Sequence, residues 1–368
     1  MNHSFIQDTQ EIIRNTIQSK GLIRITGSGT KDWFGAELKG DPLSTKGYQG
    51  IINYQPDELV ITVKSGTPLK EVELALDEKN QQFAFEPPYF GESATIGGMV
   101  CSGLAGPGRV SAGSLRDFVL GAKIMDGQGQ VMNFGGTVMK NVAGYDVSRL
   151  MPGSLGTLAL LLDVSIKVLP KAVATATLRL EIDQEKAIHT MNLLASQPWP
   201  INASSWQGEQ NGVLHIRLSG AKAAVESATS SFKKNLGMQL LDAEEAKIFW
   251  ASLREQQSDW FKSANTHASP LWRFAVAPTS KPLKLAGSTL IEWHGGQRWW
   301  QGKLDASTAK AIAAEADGHA SIFRSSSKDT SMLSSLNDNP LTKALVPVQE
   351  RLQKAFDPHG IFATGRLA

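Results

Sequence analysis

Residues 92–103 read Glu92-Ser93-Ala94-Thr95-Ile96-Gly97-Gly98-Met99-Val100-Cys101-Ser102-Gly103, and Gly106 and Gly108 follow at once. Glycine inside a helix or strand costs about 0.5–1 kcal/mol relative to alanine, so a segment carrying five has an offsetting reason. Close approach of backbone to a large flat ligand is one such reason; a wandering loop is the alternative. Working outward, residues 91–160 hold 15 of the 34 glycines, whereas eight of the nine tryptophans lie at or beyond Trp199. One part of the chain is rich in bare backbone and the other in aromatic anchors. That shift predicts two structural units with a boundary near Leu169–Pro170, organised as 1–170, 171–335 and a C-terminal segment 336–368 that packs back on the first unit.

The first unit reads as alternating short elements. The pattern predicts a helix at 11–19, strands at 22–26, 50–54 and 59–63, and a helix from Pro68 with Thr67 as its N-cap and proline at the first helical position. Residues 118–125 and 130–134 form a predicted hairpin around Asp126-Gly127-Gln128-Gly129, and 157–168 is a long β-rich run. In the second unit strands are expected at 175–182, 213–218, 271–275, 290–293 and 321–324, and helices at 185–196, 221–235, 243–261 and 307–316. The pattern is α+β with an antiparallel sheet. A polar stretch, 325–336, leads to a last helix at 341–356.

Composition narrows the function. The chain has 368 residues, a net charge of +2 and 41% apolar residues, enough for a sizeable core and without the basic footprint of a nucleic-acid binder. A single cysteine, Cys101, excludes an intrachain disulfide, an all-cysteine iron–sulfur cluster and a four-cysteine zinc site. The N-terminus is polar where a signal peptide needs an apolar core, so a cytoplasmic location is expected, with any membrane association made through a partner. Asp32 stands where a G-x-G-x-x-G motif starting at Gly27 needs glycine, and no Walker A loop occurs. Strand 22–26 nevertheless runs into Gly27-Ser28-Gly29-Thr30-Lys31, either a tight turn or a nest of amides and hydroxyls able to face a diphosphate.

Residues 92–129 (ESATIGGMVCSGLAGPGRVSAGSLRDFVLGAKIMDGQG) and 139–161 (MKNVAGYDVSRLMPGSLGTLALL) together resemble the FAD-binding domain of the vanillyl-alcohol oxidase/PCMH-type flavoproteins. Within that superfamily the chain is most similar to the FAD-binding E-type subunits of bacterial glycolate oxidases. The likeness takes in 56–69 (PDELVITVKSGTPL), Glu86-Pro87-Pro88, Leu271-Trp272-Arg273 and 356–367 (FDPHGIFATGRL). It implies a two-subdomain PCMH-type FAD-binding domain followed by a ferredoxin-like α+β cap domain serving substrate or interface.

By position, the resemblance implies that Gly27, Ser28, Gly29, Thr30 and Lys31 cradle the FAD diphosphate. Ala94, Thr95, Gly97 and Gly98 would line the diphosphate and ribityl region, and Ser114, Arg116 and Asp117 would approach the flavin, a structural Arg116–Asp117 ion pair being the equal alternative for the last two. Gly153, Gly156 and Leu161 would lie by the adenine end, with Tyr145 and Asp146 buttressing that wall. No histidine lies between His3 and His189, so FAD is expected to be non-covalent.

The H-x-G-D-G-N-x-H segment of related D-2-hydroxy-acid dehydrogenases is missing, and no metal site is expected. The implied activity is that of one subunit of a glycolate oxidase, forming glyoxylate, with a paralogous FAD-containing catalytic subunit and an iron–sulfur subunit as partners. A self-sufficient FAD-dependent dehydrogenase of another small hydroxy acid, or a non-catalytic flavin-bearing scaffold, are the alternatives. For the first of these, Arg273 is the candidate for the substrate carboxylate and His294, with Arg298 across the Gly295-Gly296 turn, for the base. Cys101 reads as a small packing residue. Trp299 and Trp300 point to opposite faces of one strand, so one of them is expected at the surface as an interface anchor.

Overall fold

The computed structural model describes residues 2–136, 146–265, 269–325 and 340–366. The chain divides into two compact units, one of residues 1–104, 114–170 and 337–368, the other of residues 105–113 and 171–336. Residues 105–113, read above as part of the first unit, group with the second.

In the first unit, α1 (Asn2–Ser19) turns Ile13 into a core with Ile23 of β1 (Ile23–Thr26) and Leu43 of β2 (Asp41–Ser44), two strands paired in parallel. Five antiparallel strands form the main sheet: β3 (Ile51–Gln55), β4 (Val60–Lys64), β6 (Val119–Met125), β7 (Val131–Gly135) and β8 (Leu160–Lys167), in the order β3-β4-β8-β6-β7. A short β5 (Gln81–Gln82) pairs with β9 (Leu169–Pro170). The β6–β7 hairpin closes as its Asp-Gly turn chemistry requires, with the Asp126 carboxylate accepting from the amides of Gln128 (2.9 Å) and Gln130 (2.8 Å). Helix α2 (Leu69–Asp77) starts one residue later than the proline rule predicts. Pro68 is its cap residue, because the Thr67 hydroxyl is engaged with the strands instead, donating to Lys64 O (2.8 Å) and accepting from the Gly50 amide (2.9 Å). Helices α3 (Ile96–Ser102) and α5 (Leu115–Phe118) complete this part; α4 (Arg109–Ala112) lies in the second unit.

The chain end belongs to the same core. The Asp357 carboxylate accepts from the amides of Ile361 (3.0 Å) and Phe362 (2.7 Å), curling the tail so that both side chains are buried beside Ile13 and Ile23.

The second unit is built on one eight-stranded sheet, β13-β10-β12-β11-β15-β16-β14-β17. Its first half runs β10 (Ala174–Asp183), α6 (Gln184–Ala195), β11 (Ile201–Gly208), β12 (Asn211–Gly220), α7 (Lys222–Leu236), β13 (Gln239–Leu240). That is a βαββαβ chain with its strands in the spatial order 4-1-3-2, the ferredoxin-like arrangement. The second half, β14 (Leu271–Ala275), β15 (Thr289–Glu292), β16 (Gln297–Gln301), α10 (Ala306–Glu315), β17 (His319–Arg324), repeats that order without the first helix, mirrored across the antiparallel β11–β15 junction. The two halves share a strand order but no sequence repeat, because the fold constrains only alternation and turns. Strand β11 escapes the sequence reading, since Ser204 and Ser205 are buried polar residues where an alternating pattern needs apolar ones, and β16 is foreseen only through its tryptophan pair, its Gln297 and Arg298 being buried and polar too. The helix expected at 243–261 is two, α8 (Ala243–Arg254) and α9 (Asp259–Asn265).

Helices cover both faces of this sheet, and that decides the tryptophans. Trp300 packs with Trp272, Ala309 and Ala313 on the α10 face, while Trp299 stacks edge-on against Phe261 of α9 and Phe323 on the other. Their indole nitrogens donate to Ala286 O (2.7 Å) and Glu292 Oε2 (2.6 Å). Both are buried, so neither is the surface anchor expected from alternation alone.

On the α8 face His215 stacks on Phe249, ring centroids 4.0 Å apart. Burial first, and the Arg179 charge second, pull its pKa from 6.5 to about 4. The folded chain holds this imidazole neutral where the unfolded chain protonates it. Its contribution is therefore whole above pH 6.5 and is lost as pH falls towards 4, at up to about 1.4 kcal/mol per pH unit for one proton. Denaturant midpoints at pH 7 and pH 4.5 are expected to differ less in His215→Phe, which keeps the stack, than in the wild type.

Candidate functional site

Leaving β1, residues 27–31 form an open loop. The amides of Gly27, Ser28, Gly29 and Thr30 donate to no group among the described residues, although Gly29 O accepts from the Asp32 amide (3.0 Å) and Thr30 O from the Trp33 indole (3.0 Å). Four adjacent uncommitted amides form an anion cradle. They border a cleft lined also by Thr95, Gly97, Gly98, Ser65, Cys101, Ser102, Gly156, Leu161 and Arg366.

Helix α3 forms the opposite wall, and its early amides are already committed: Ile96 to Thr67 O (2.9 Å), Gly97 to Ser65 O (2.7 Å) and Gly98 to Thr95 Oγ1 (3.2 Å). Its two glycines have different reasons. A Cβ on Gly97 would stand 2.9 Å from Ser65 Cβ and 3.0 Å from Ser65 O, so Gly97 lets the helix pack on the backbone after β4. A Cβ on Gly98 would meet only Thr95 Oγ1, at 3.2 Å, so packing does not require glycine there and the bare position leaves the cleft open.

Ten of the residues expected at the cofactor line this cleft: Gly27, Ser28, Gly29, Thr30, Lys31, Thr95, Gly97, Gly98, Gly156 and Leu161. The Lys31 ammonium donates to Tyr89 O (3.0 Å) and lies over the Phe90 ring. Ala94 is wholly buried behind the wall. Gly153 sits in the turn that closes on Gly103 at the end of α3, where a Cβ on Gly103 would lie 2.8 Å from the Gly153 amide. Ser114 and Asp117 form the capping box of α5, with the Ser114 amide and hydroxyl both 2.8 Å from Asp117 Oδ2, and Arg116 is exposed; none of the three borders the cleft. Tyr145 lies outside the described residues. Sequence reasoning missed Thr45, Ser65 and Arg366, single residues of ordinary local pattern brought in from distant segments.

The cleft fits a dianionic dinucleotide. Besides the four amides, the Ser65 hydroxyl is buried there without a hydrogen-bond partner, which a native structure rarely leaves unexplained. Arg24 and Arg366 stand beside the loop together with the Asp32 carboxylate, which is 3.4 Å from Arg24. Cys101, also in the lining, has its thiol pushed up to about 11, chiefly by burial, so it is neutral and unreactive near pH 7.

Residues 5–135 match the FAD binding domain family. The chain is 40% identical over 364 residues, 99% of its length and 97% of the relative's, to the glycolate oxidase subunit GlcE of Escherichia coli. It belongs to that family. FAD is its cofactor, and the chain is an FAD-dependent oxidoreductase. A shorter match, 29% identical over 181 residues and spanning 47% of this chain and 37% of the relative, is to the glycolate oxidase subunit GlcD of Bacillus subtilis. Among solved structures, alkyldihydroxyacetonephosphate synthase shares the fold, with a TM-score of 0.60 at 13% identity over 96% of this chain and 73% of that one.

The residues read above as catalytic candidates separate in the second unit. His294 is turned inward: its Nδ1 is 2.8 Å from Ser204 Oγ, its amide donates to the same oxygen (3.0 Å), and burial lowers its pKa. Arg298 is also internal, donating to the carbonyls of Gly295, Lys281 and Ser280. Arg273 differs. Its guanidinium lies over Phe323 (5.5 Å) and pairs with no carboxylate among the described residues; burial, then the charge of Arg109, lowers its pKa to about 10. Arg109 is itself held over the Trp293 ring at 4.5 Å. Among the described residues no group of three His, Cys, Asp or Glu side chains is placed to hold a metal, and no helix is long and apolar enough to cross a membrane.

Proposed function

We propose that the chain is the FAD-carrying subunit of a glycolate oxidase complex, oxidising glycolate to glyoxylate together with a paralogous FAD-containing catalytic subunit and an iron–sulfur subunit. The observation that carries this reading is the cleft with four uncommitted amides, an unpartnered buried hydroxyl and an excess of cations, in a chain so similar to a glycolate oxidase subunit. The amides of Gly27, Ser28, Gly29 and Thr30 would hold the diphosphate, Thr95, Gly97, Gly98 and Ser65 the neighbouring ribityl region, and Gly156 and Leu161 the adenine end. Bound FAD supplies a two-electron acceptor. Its attachment is non-covalent in this reading, since no histidine borders the cleft and the Cys101 thiol stays protonated. Electrons leave through the iron–sulfur partner, because one cysteine cannot build a cluster here, and any membrane association of this cytoplasmic chain is made through a partner.

Arg273 favours a second reading, a substrate site in this chain. A guanidinium without a carboxylate partner, near a second arginine, suits the carboxylate of a small hydroxy acid. His319, opposite Ala275 in the strand register, lies on the same sheet face and is held towards neutrality by burial and by Arg273.

An anaerobic visible spectrum separates the readings. The purified chain is expected to be yellow, to keep its flavin band on adding glycolate, and to lose it when the partner subunits are present. Bleaching of the chain alone, abolished by Arg273→Ala, would establish the second reading. A chain that takes up no FAD would refute both.

A further inference from the structure

The loop that presents the amides is held by the last described residue of the chain. Arg366 Nη2–H donates to Lys31 O (2.7 Å) and Nε–H to Phe34 O (3.2 Å), while Arg366 O accepts from the Ala36 amide (3.2 Å). One side chain thus bridges two carbonyls of the 31–34 turn, and its own backbone closes the far side. The approach is so close that Gly35, at φ +86°, has no room for a side chain: a Cβ would stand 2.9 Å from Arg366 O and 3.0 Å from Arg366 Cγ. The internal bonds of this segment, from the Asp32 amide to Gly29 O (3.0 Å) and from the Phe34 amide to Lys31 O (3.0 Å), leave the amides of residues 27–30 unused, and the Arg366 bridge adds a second tie on the carbonyl side. Arg366 is one of the residues that line the cleft, and partial burial keeps its charge poorly screened.

Resting on the FAD reading above, we infer that Arg366 is a positioning residue for the cofactor: by bridging Lys31 O and Phe34 O it sets the amides of residues 27–30 for the diphosphate and adds a cation beside it. The cofactor site is then incomplete until the end of the chain has docked, since the tail reaches this loop only after Asp357 has curled it into the core. Lysine at 366 keeps the charge but lacks the fork that spans two carbonyls; glutamine keeps a donor without the charge.

The test uses the full chain, stripped of flavin and reloaded with FAD, with affinity read by fluorescence titration and melting followed with and without FAD. Arg366→Ala and Arg366→Gln are expected to weaken FAD roughly ten- to hundredfold, the loss of a charge-assisted bridge, with Arg366→Lys intermediate. The rise in melting temperature on adding FAD should shrink in the same order, while the flavin-free proteins melt close to one another. Unchanged FAD affinity in Arg366→Ala overturns the inference. So does a fall in flavin-free melting that leaves the FAD-induced rise intact, the mark of a purely structural tie. A wild-type chain that binds no FAD overturns instead the cofactor reading on which the inference rests.

Discussion

Gly98→Val is expected to give a chain that folds, melts near the flavin-free wild type, and purifies colourless. Two terms set the stability. Replacing a glycine in the first turn of a helix gains less than the roughly 1 kcal/mol of an interior position, and β-branching partly cancels it. The new Cβ meets only Thr95 Oγ1, at 3.2 Å, so crowding by the protein is slight. The ligand sees a different surface. The valine methyls project into the cleft between α3 and the 27–31 loop, where displacement of the cofactor by even 1 Å forfeits its backbone hydrogen bonds. FAD content should fall below about a tenth of wild type, a loss of at least ~1.4 kcal/mol of affinity. The neighbouring Gly97→Val serves as control. Its Cβ collides with Ser65 at 2.9 and 3.0 Å, so it should lose thermal stability even without flavin. Flavin content by absorbance and flavin-free melting curves check both variants. A fully yellow Gly98→Val would place FAD elsewhere.

Arg298→Met should be the most destabilising change in the second unit. The side chain is only 2% exposed, and it satisfies three backbone carbonyls from two loops, with Nε to Gly295 O at 3.1 Å and both terminal nitrogens at 2.5 Å from Lys281 O and Ser280 O. Burial lowers its pKa to about 10, which still leaves it charged at neutral pH. Methionine fills most of the stem volume but donates nothing, so the buried Gly295 O and the half-buried bonds to Lys281 O and Ser280 O all lose their donor. At about 1–3 kcal/mol for each unsatisfied group, with some relaxation, the expected cost is about 3–5 kcal/mol, or roughly 10 °C in melting temperature for a unit of this size. Arg298→Lys should fall between. Wild-type melting in Arg298→Met would mean that the carbonyls find water and that the arginine is not structural.

These two residues show how far local pattern reaches. The Gly27–Lys31 turn and the Thr95–Gly98 segment were legible because backbone that must approach a ligand is restricted to small residues, and that restriction is written in consecutive positions. His294 and Arg298 looked equally functional around their Gly-Gly turn. The fold spends both on neighbouring backbone and on Ser204, a use visible only once β11 and the loop at 278–281 stand beside β15 and β16. Ser114 and Asp117 likewise matched family positions, yet the structure joins them to each other as a helix cap.

Taken alone, the sequence determined the glycine-dense segment, the turn that offers its amides and the α+β alternation, while the redox role followed from the resemblance those segments carry. All of these depend on residues close together in the chain. Only the tertiary structure decided that both tryptophans of the 299–300 pair are buried, because helices cover both sheet faces, and that two ferredoxin-like strand orders share one sheet. It alone decided that Arg366 closes the loop 335 residues before it. Such pairings have no local signature: a long-range hydrogen bond constrains two positions whose separation along the chain the sequence does not encode.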